Sequence, residues 1–341
     1  MAGCGIRSLR WALEADINTS RKAEGAQTLL CVNDADPDRA ALLQSNLNPL
    51  QGRGIQLDIR HEDAADLLAR IFLEKRFFDL IDLDAFGCPN ALLQSVIQVL
   101  RFDGILFMAS SDGRGPTGHD RLAAIRSLAA AARAHPSSWE IALRLQLGAL
   151  ARHAWQLGRG INPLFSFSDG RTFRLAVRLI RAPVDQEEHL LGFLARCERC
   201  GVQMVQSMIN LGGWGNCDCS AGQGRWAVNG PLWLGKLQSQ GFIDELLLLA
   251  GDKPQSVSSK SLRLLRRLHA DPGLPVICWS TSELASRLAL SGPPKLADLV
   301  SALRKAGCQA FSSSVMPGQL RTDATLEQIF GVCRSLVHER A

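Results

Sequence analysis

Over its first 180 residues the chain alternates short aliphatic runs with longer segments whose apolar positions recur every three or four residues. The runs at residues 28–34 (TLLCVND), 55–62, 77–84 (FFDLIDLD) and 104–110 (GILFMAS) predict strands. The segments at 36–48, 63–74, 89–100, 120–134 and 139–157 predict helices, the first with Pro37 in its opening turn. Residues 161–167 and 172–180, separated by Ser168-Asp169-Gly170, predict a closing β-hairpin. Strand–helix alternation predicts a parallel sheet covered on both faces, to which the hairpin adds an antiparallel edge.

After Arg181 the pattern changes. A short Pro/Asp/Glu linker leads into a cysteine-bearing stretch at 197–219, then a Gly/Trp-rich stretch. From about Leu234 a mixed segment with helices expected at 259–268, 281–290 and 296–306 predicts a small α/β domain. The expected division is 1–182, 183–234 and 235–341. The chain opens on Met1-Ala2-Gly3-Cys4-Gly5, a Gly-rich turn with nothing in front of it. Such a turn ordinarily follows a buried central strand and opens a helix, here at 8–15. The expectation is therefore that the first strand is missing and that Met1 is an internal methionine of a longer ancestor.

Composition narrows the class. Hydrophobic residues at 46% and charged residues at 21% exclude a mainly disordered chain. No apolar run approaches the roughly 20 residues of a membrane span, and no secretory leader is visible. The expectation is a cytoplasmic protein with no membrane contact and no indicated protein partner. Net charge is +5, but residues 1–100 carry 10 basic against 14 acidic groups, while 101–180 carry 11 against 5 and 251–341 carry 12 against 7. Arginines outnumber lysines 31 to 7, which suits forked contacts to phosphate; a GC-rich coding bias produces the same ratio. Arg114, Arg152 and Arg159, with Arg263, Arg266 and Arg267, are the expected contacts to a nucleic-acid backbone; a solvated helix face explains the last three equally well.

The candidate chemistry gathers at strand ends. Gly3 and Gly5 permit a tight turn that approaches a ligand. Asp34, at the end of the first predicted strand, can bind the ribose hydroxyls of a nucleoside-bearing cofactor, or simply cap the next helix. Asp63 and Ala64 fall where an adenine amine would lie, or Asp63 is a helix cap. The densest segment is Asp82-Leu83-Asp84-Ala85-Phe86-Gly87-Cys88-Pro89. Two acids closing a buried apolar strand are costly unless used, and an aromatic on a Gly-x-Pro turn can stack on a flat base.

AGCGIRSLR, VNDADP, HEDAADLL and DLDAFGCPN, with TDATLEQIF near the C-terminus and Gly230-Pro231-Leu232-Trp233-Leu234-Gly235, resemble the tRNA (guanine-N2-)-dimethyltransferase family. The resemblance implies a Rossmann-like class I methyltransferase domain with a C-terminal tRNA-binding domain, S-adenosyl-L-methionine as cofactor, and dimethylation of the guanine at position 26 of tRNA. It places Arg7, Asp34, Asp63 and Ala64 at cofactor contacts, and Asp84 and Phe86 at catalytic positions. Ala85 and Cys88 stand where the family carries proline and serine, and the family's N-terminal segment is lacking. Two alternatives are an amino-methyltransferase acting on another base, and a zinc-stabilised tRNA-binding protein impaired in catalysis.

Cys197-Glu198-Arg199-Cys200 and Cys217-Asp218-Cys219 bring two thiol pairs close enough in sequence to close a tetrahedral, structural Zn²⁺ site. Four clustered cysteines in a reducing compartment point to metal rather than disulfides. The remaining cysteines and the histidines show no ligand spacing. Trp214, Trp226 and Trp233 are expected to pack a small core around the metal.

Overall fold

The computed structural model describes residues 1–14, 28–215, 217, 219 and 225–338. The first part contains α1 (Ile6–Glu14), β1 (Thr28–Asn33), α2 (Ala40–Leu47), β2 (Ile55–Arg60), α3 (Ala64–Leu73), β3 (Phe78–Ala85), α4 (Leu93–Val99), β4 (Leu100–Ser110), α5 (Arg121–Leu128), α6 (Ser138–Gln156), β5 (Gly160–Ser168) and β6 (Phe173–Ile180). β3 and β4 are parallel, β6 runs antiparallel to β4, and β5 closes the hairpin in the order β3-β4-β6-β5. This is the predicted α/β sheet with its antiparallel edge.

The sheet is divided. β1 and β2 pair with each other in parallel as a separate two-stranded sheet, and among the described residues no ladder joins β1 to β3. The Ala2 N–H bonds the Asn33 carbonyl at 3.0 Å, at the C-terminal end of β1. There Met1 packs on the core beneath β3 and Ala2 on the core beneath β1.

Apolar residues on the buried face of the larger sheet, among them Leu83, Leu106, Met108 and Leu175, pack on Leu143, Leu147 and Leu150 of α6. α6 is buried almost all round because its other side meets the next layer: β7 (Leu191–Cys197), β8 (Gln203–Ser207) and β9 (Trp226–Trp233), an antiparallel sheet in the order β8-β7-β9. Ile141, Leu145 and Ala149 of α6 join Leu194 and Leu232 there. The last part contains α7 (Gln240–Asp252), α8 (Ser259–His269), β10 (Cys278–Ser280), α9 (Thr281–Arg287), α10 (Leu296–Lys305), β11 (Ala310–Ser312), β12 (Gln319–Thr322) and α11 (Leu326–His338), with sheet order β10-β12-β11.

That part is tied to α6 by buried charge. Glu140 accepts from Arg144 at 2.9 Å and from both terminal nitrogens of Arg321 at 2.7 Å, and Arg321 Nε donates to Asp271 at 2.8 Å. All four side chains are buried.

The helix expected at 120–134 ends at Leu128. Ala129 turns left-handed (φ 46°), and Ala131 then pairs with Gly230 through bonds of 2.7 and 2.9 Å, so the rest of the segment runs extended along β9. The strand expected from Gly104 begins at Leu100, with a register shift opposite Phe78 and Leu80. Trp233 lies in the core under the β3-β4-β6-β5 sheet, not beside the cysteines, and its indole donates to the Lys236 carbonyl at 3.0 Å. Trp214 and Trp226 do stand together, 6.3 Å between ring centroids.

Candidate active site

β3 and β4 end together at Ala85 and Ser110. In an open α/β sheet the crevice for ligands forms at the carboxyl ends of the strands. Gly3 and Gly5 take φ of 59° and 75°. At Gly5 the positive φ favours glycine, and an added Cβ would also press on the Leu43 side chain at 3.2 Å.

Asp34 is buried under this turn. Its Oδ2 accepts from the Met1 amino group and the Gly3 N–H, each at 2.7 Å, and its Oδ1 from the Asp36 N–H at 3.1 Å. Burial pushes its pKa up, but these donors outweigh it and hold the carboxyl below its ordinary value. Asn33 ties the ends of β1 and β2, donating to the Glu62 carbonyl at 3.0 Å and accepting its N–H at 3.2 Å. Asp63 caps α3, accepting the Ala65 N–H at 2.7 Å, and Ala64 is the first residue of that helix. The capping alternative is thus occupied at Asp63, whereas Asp34 serves the Gly3 turn.

Asp82 and Asp84 alternate along β3 and share one sheet face, opposite Phe107 and Ala109 of β4. Arg7 bridges them: it donates to Asp82 at 2.9 Å and to Oδ2 of Asp84. Trp11, one turn further along α1, packs its ring on Phe107 of β4, the residue opposite Asp82, with 5.2 Å between centroids. Burial raises the pKa of Asp82; Arg7 opposes the shift and the neighbouring Asp84 adds to it. No hydrogen bond among the described residues engages Oδ1 of Asp84.

Phe86 is fully exposed at the tip of the following turn, where Gly87 has φ 71°. The turn is fastened to β4: Ser110 Oγ donates to the Gly87 carbonyl at 3.0 Å, and Ser111 Oγ accepts the Gly87 N–H at 2.8 Å. Trp11, Asn33, Ser110 and Ser111 escaped the sequence reading. The only local signal was the Ser-Ser pair directly after an apolar strand.

Cys197 ends β7, Cys200 lies in the turn after it, and Cys217 and Cys219 approach from the loop before β9. The four sulfurs lie within 4.8 Å of one another, with Cys197–Cys219 at 3.8 Å and Cys200–Cys217 at 3.2 Å. A tetrahedral zinc with bonds of about 2.3 Å sets its sulfurs about 3.8 Å apart, so this soft four-thiol set fits the ion.

Of the expected backbone contacts, Arg152 and Arg159 are committed elsewhere. Arg152 donates to the carbonyls of Leu128, Ala129 and Gly148, closing the end of α5. Arg159 donates to the Ile97 and Leu100 carbonyls and lies over the Phe102 ring. Arg114, Arg263, Arg266 and Arg267 are exposed.

A divided, mixed sheet with a Gly-rich first turn, an acid behind it at the end of β1 and an Asp-x-Phe-Gly turn at the end of β3 defines an α/β protein of the Rossmann-like, class I methyltransferase kind. The chain belongs to the N2,N2-dimethylguanosine tRNA methyltransferase family, whose model matches residues 1–334. It is similar to the tRNA (guanine(26)-N(2))-dimethyltransferase of Pyrococcus abyssi, 26% identical over 340 residues that make up 98% of this chain and 85% of the relative. The enzyme of that name from Thermococcus kodakarensis is 27% identical over 342 residues, 98% of this chain and 86% of the relative. The solved complex of Trm1 from Pyrococcus horikoshii with S-adenosyl-L-methionine shares the fold, with a TM-score of 0.80, 23% identity, and coverage of 97% of this chain and 86% of the other.

Proposed function

We propose that this chain transfers methyl groups from S-adenosyl-L-methionine to the exocyclic N2 of guanine in tRNA, dimethylating the guanine at position 26. The observation that carries the reading is Asp84, two residues before the exposed Phe86, with one carboxylate oxygen held by Arg7 and the other without a hydrogen bond among the described residues. The relatives named above bear this activity in their names.

The cofactor supplies an electrophilic methyl on a sulfonium. Asp34, kept ionised by its N–H donors, accepts from the ribose hydroxyls. Gly3 and Gly5 let the backbone approach, Arg7 borders both cofactor and acid, and Asp63 and Ala64 flank the adenine. The N2 lone pair of guanine is delocalised into the purine and is a poor nucleophile. Asp84 Oδ1 accepts a hydrogen bond from that amine and then its proton, restoring nucleophilicity during attack. Phe86 stacks on the extruded base and holds the amine near attack distance. Cys197, Cys200, Cys217 and Cys219 hold one structural Zn²⁺; four thiolates leave no open position for chemistry. A reducing, cytoplasmic compartment keeps these thiols available.

The test is transfer to a tRNA carrying inosine at position 26, which differs from guanosine in lacking the N2 amine. The reading expects transfer to the guanine form and none to the inosine form; equal transfer to both would overturn it. A zinc-stabilised tRNA-binding protein, the competing reading, would bind both tRNAs and methylate neither.

A further inference from the structure

We infer that the outward face of α5 is an RNA-docking surface that engages the strand beside the extruded base; the inference rests on the methyltransferase reading above. α5 lies in the segment leaving the C-terminal end of β4, the same edge that carries Asp84 and Phe86. It packs on the short helix at Pro89–Leu92 that follows the Gly87 turn, and Cys88 of that turn packs on the core cluster that holds Ala124 and Leu128 of α5. Its position is thus set by the catalytic turn itself.

The inner side of the helix is ordinary core, with Ala124 and Leu128 buried. The outer side is not an ordinary solvated face. Leu122 is 62% and Ile125 55% exposed, and they are flanked by Arg121 and Arg126, both exposed and without an ion pair among the described residues. The spacing i, i+1, i+4, i+5 puts the two aliphatics and the two guanidiniums on one stripe. Between residues 113 and 134 the only acid is Asp120, and it is occupied by capping α5 through the Ala123 N–H at 3.0 Å.

An aliphatic pair bracketed by unpaired arginines matches a polyanion that also offers apolar surface, which is what an RNA helix becomes when one base leaves the stack. The arginines meet phosphates on either side, and Leu122 and Ile125 cover the faces of the bases left behind, as apolar wedges do at unstacked steps. A protein partner would be served by the aliphatics but would have to supply acids for both arginines.

The experiment uses the full chain and an unmodified tRNA transcript carrying 2-aminopurine next to the reacting guanine, whose fluorescence rises on unstacking. Three variants are compared with wild type: Arg121→Gln/Arg126→Gln, Leu122→Ser/Ile125→Ser, and the control Leu73→Ser, which alters a side chain 79% exposed at the far end of α3. The arginine pair should weaken binding and flatten the log–log salt dependence by about 0.7–0.9 per lost contact. The aliphatic pair should lose the fluorescence rise and about tenfold or more in turnover, with melting temperature and cofactor affinity unchanged. The control should behave as wild type. Variants that bind and unstack the RNA like wild type would overturn the inference. So would a wild-type dimer that Leu122→Ser/Ile125→Ser dissociates without change in RNA affinity. Because binding and fluorescence need no methyl transfer, a wild type that unstacks the RNA through α5 yet transfers nothing would overturn the methyltransferase reading and support this one.

Discussion

At the scale of single residues, the account turns on Asp84. An acid that acts only as the amine becomes a nucleophile contributes to the transition state more than to binding. Asp84→Asn should therefore lower turnover by roughly 10²–10⁴-fold while cofactor and tRNA affinities stay near wild type. Single-turnover rates alongside titration binding check this, and near-normal turnover would remove Asp84 from the mechanism. This residue was legible because an ionisable group at the end of a buried apolar strand needs a reason to be there. Trp11 and Ser110 were not, because each acts through a partner far along the chain, Phe107 and Gly87, and neither pairing leaves a trace in local spacing.

At the scale of elements, the clearest expectation concerns the four thiols. Cys197 and Cys200 lie on and just beyond the end of β7, while Cys217 and Cys219 reach them from the loop before β9, so an ion there closes a long loop. We expect one Zn²⁺ per chain, and Cys200→Ser should lower the melting temperature and metal content while the turnover of the folded fraction stays unchanged. Elemental analysis of protein purified without chelator, and melting curves with and without a strong chelator, check both parts. The N-caps of α8 and α9, Ser258 and Ser280, which accept the Ser261 and Glu283 N–H groups, were not singled out, whereas the helices themselves were legible from periodicity. The segment after Leu128 was not. Its alanines favour helix locally, and what overrides that preference is the pairing of Ala131 with Gly230, a hundred residues away in the chain, together with the Arg133 N–H bond to Asn229 at 2.6 Å.

At the scale of the whole molecule, the methyltransferase-like sheet and the C-terminal part meet at Glu140, Arg144, Asp271 and Arg321. Burial alone would raise the pKa of Glu140, but Arg321 and Arg144 outweigh it and hold it at about 2. A folded-state value below the unfolded one means that the stabilisation is complete above the ordinary carboxylate range near pH 4.3 and is lost as pH falls toward 2. Denaturant unfolding between these limits should show stability falling with acid, and Glu140→Gln should flatten that dependence while lowering stability at neutral pH by leaving Arg321 less compensated. The basic surplus of the later residues belongs to the same scale. Arg263, Arg266 and Arg267 are exposed on α8, so their joint neutralisation should reduce the salt slope of tRNA binding and weaken different tRNAs alike; an unchanged slope would make α8 a solvated surface. The charge asymmetry was legible from sequence, but the division between free and committed arginines was not, since Arg152 and Arg159 spend their donors on carbonyls that only the folded chain brings near.

The most direct test of the central claim is nucleoside mass spectrometry of an unmodified tRNA transcript after incubation with the folded, metal-loaded chain and S-adenosyl-L-methionine. The account predicts N2,N2-dimethylguanosine at position 26, absent when the Asp84→Asn chain replaces wild type. Methyl groups found on another base, or none at all from protein that binds both cofactor and tRNA, would contradict it.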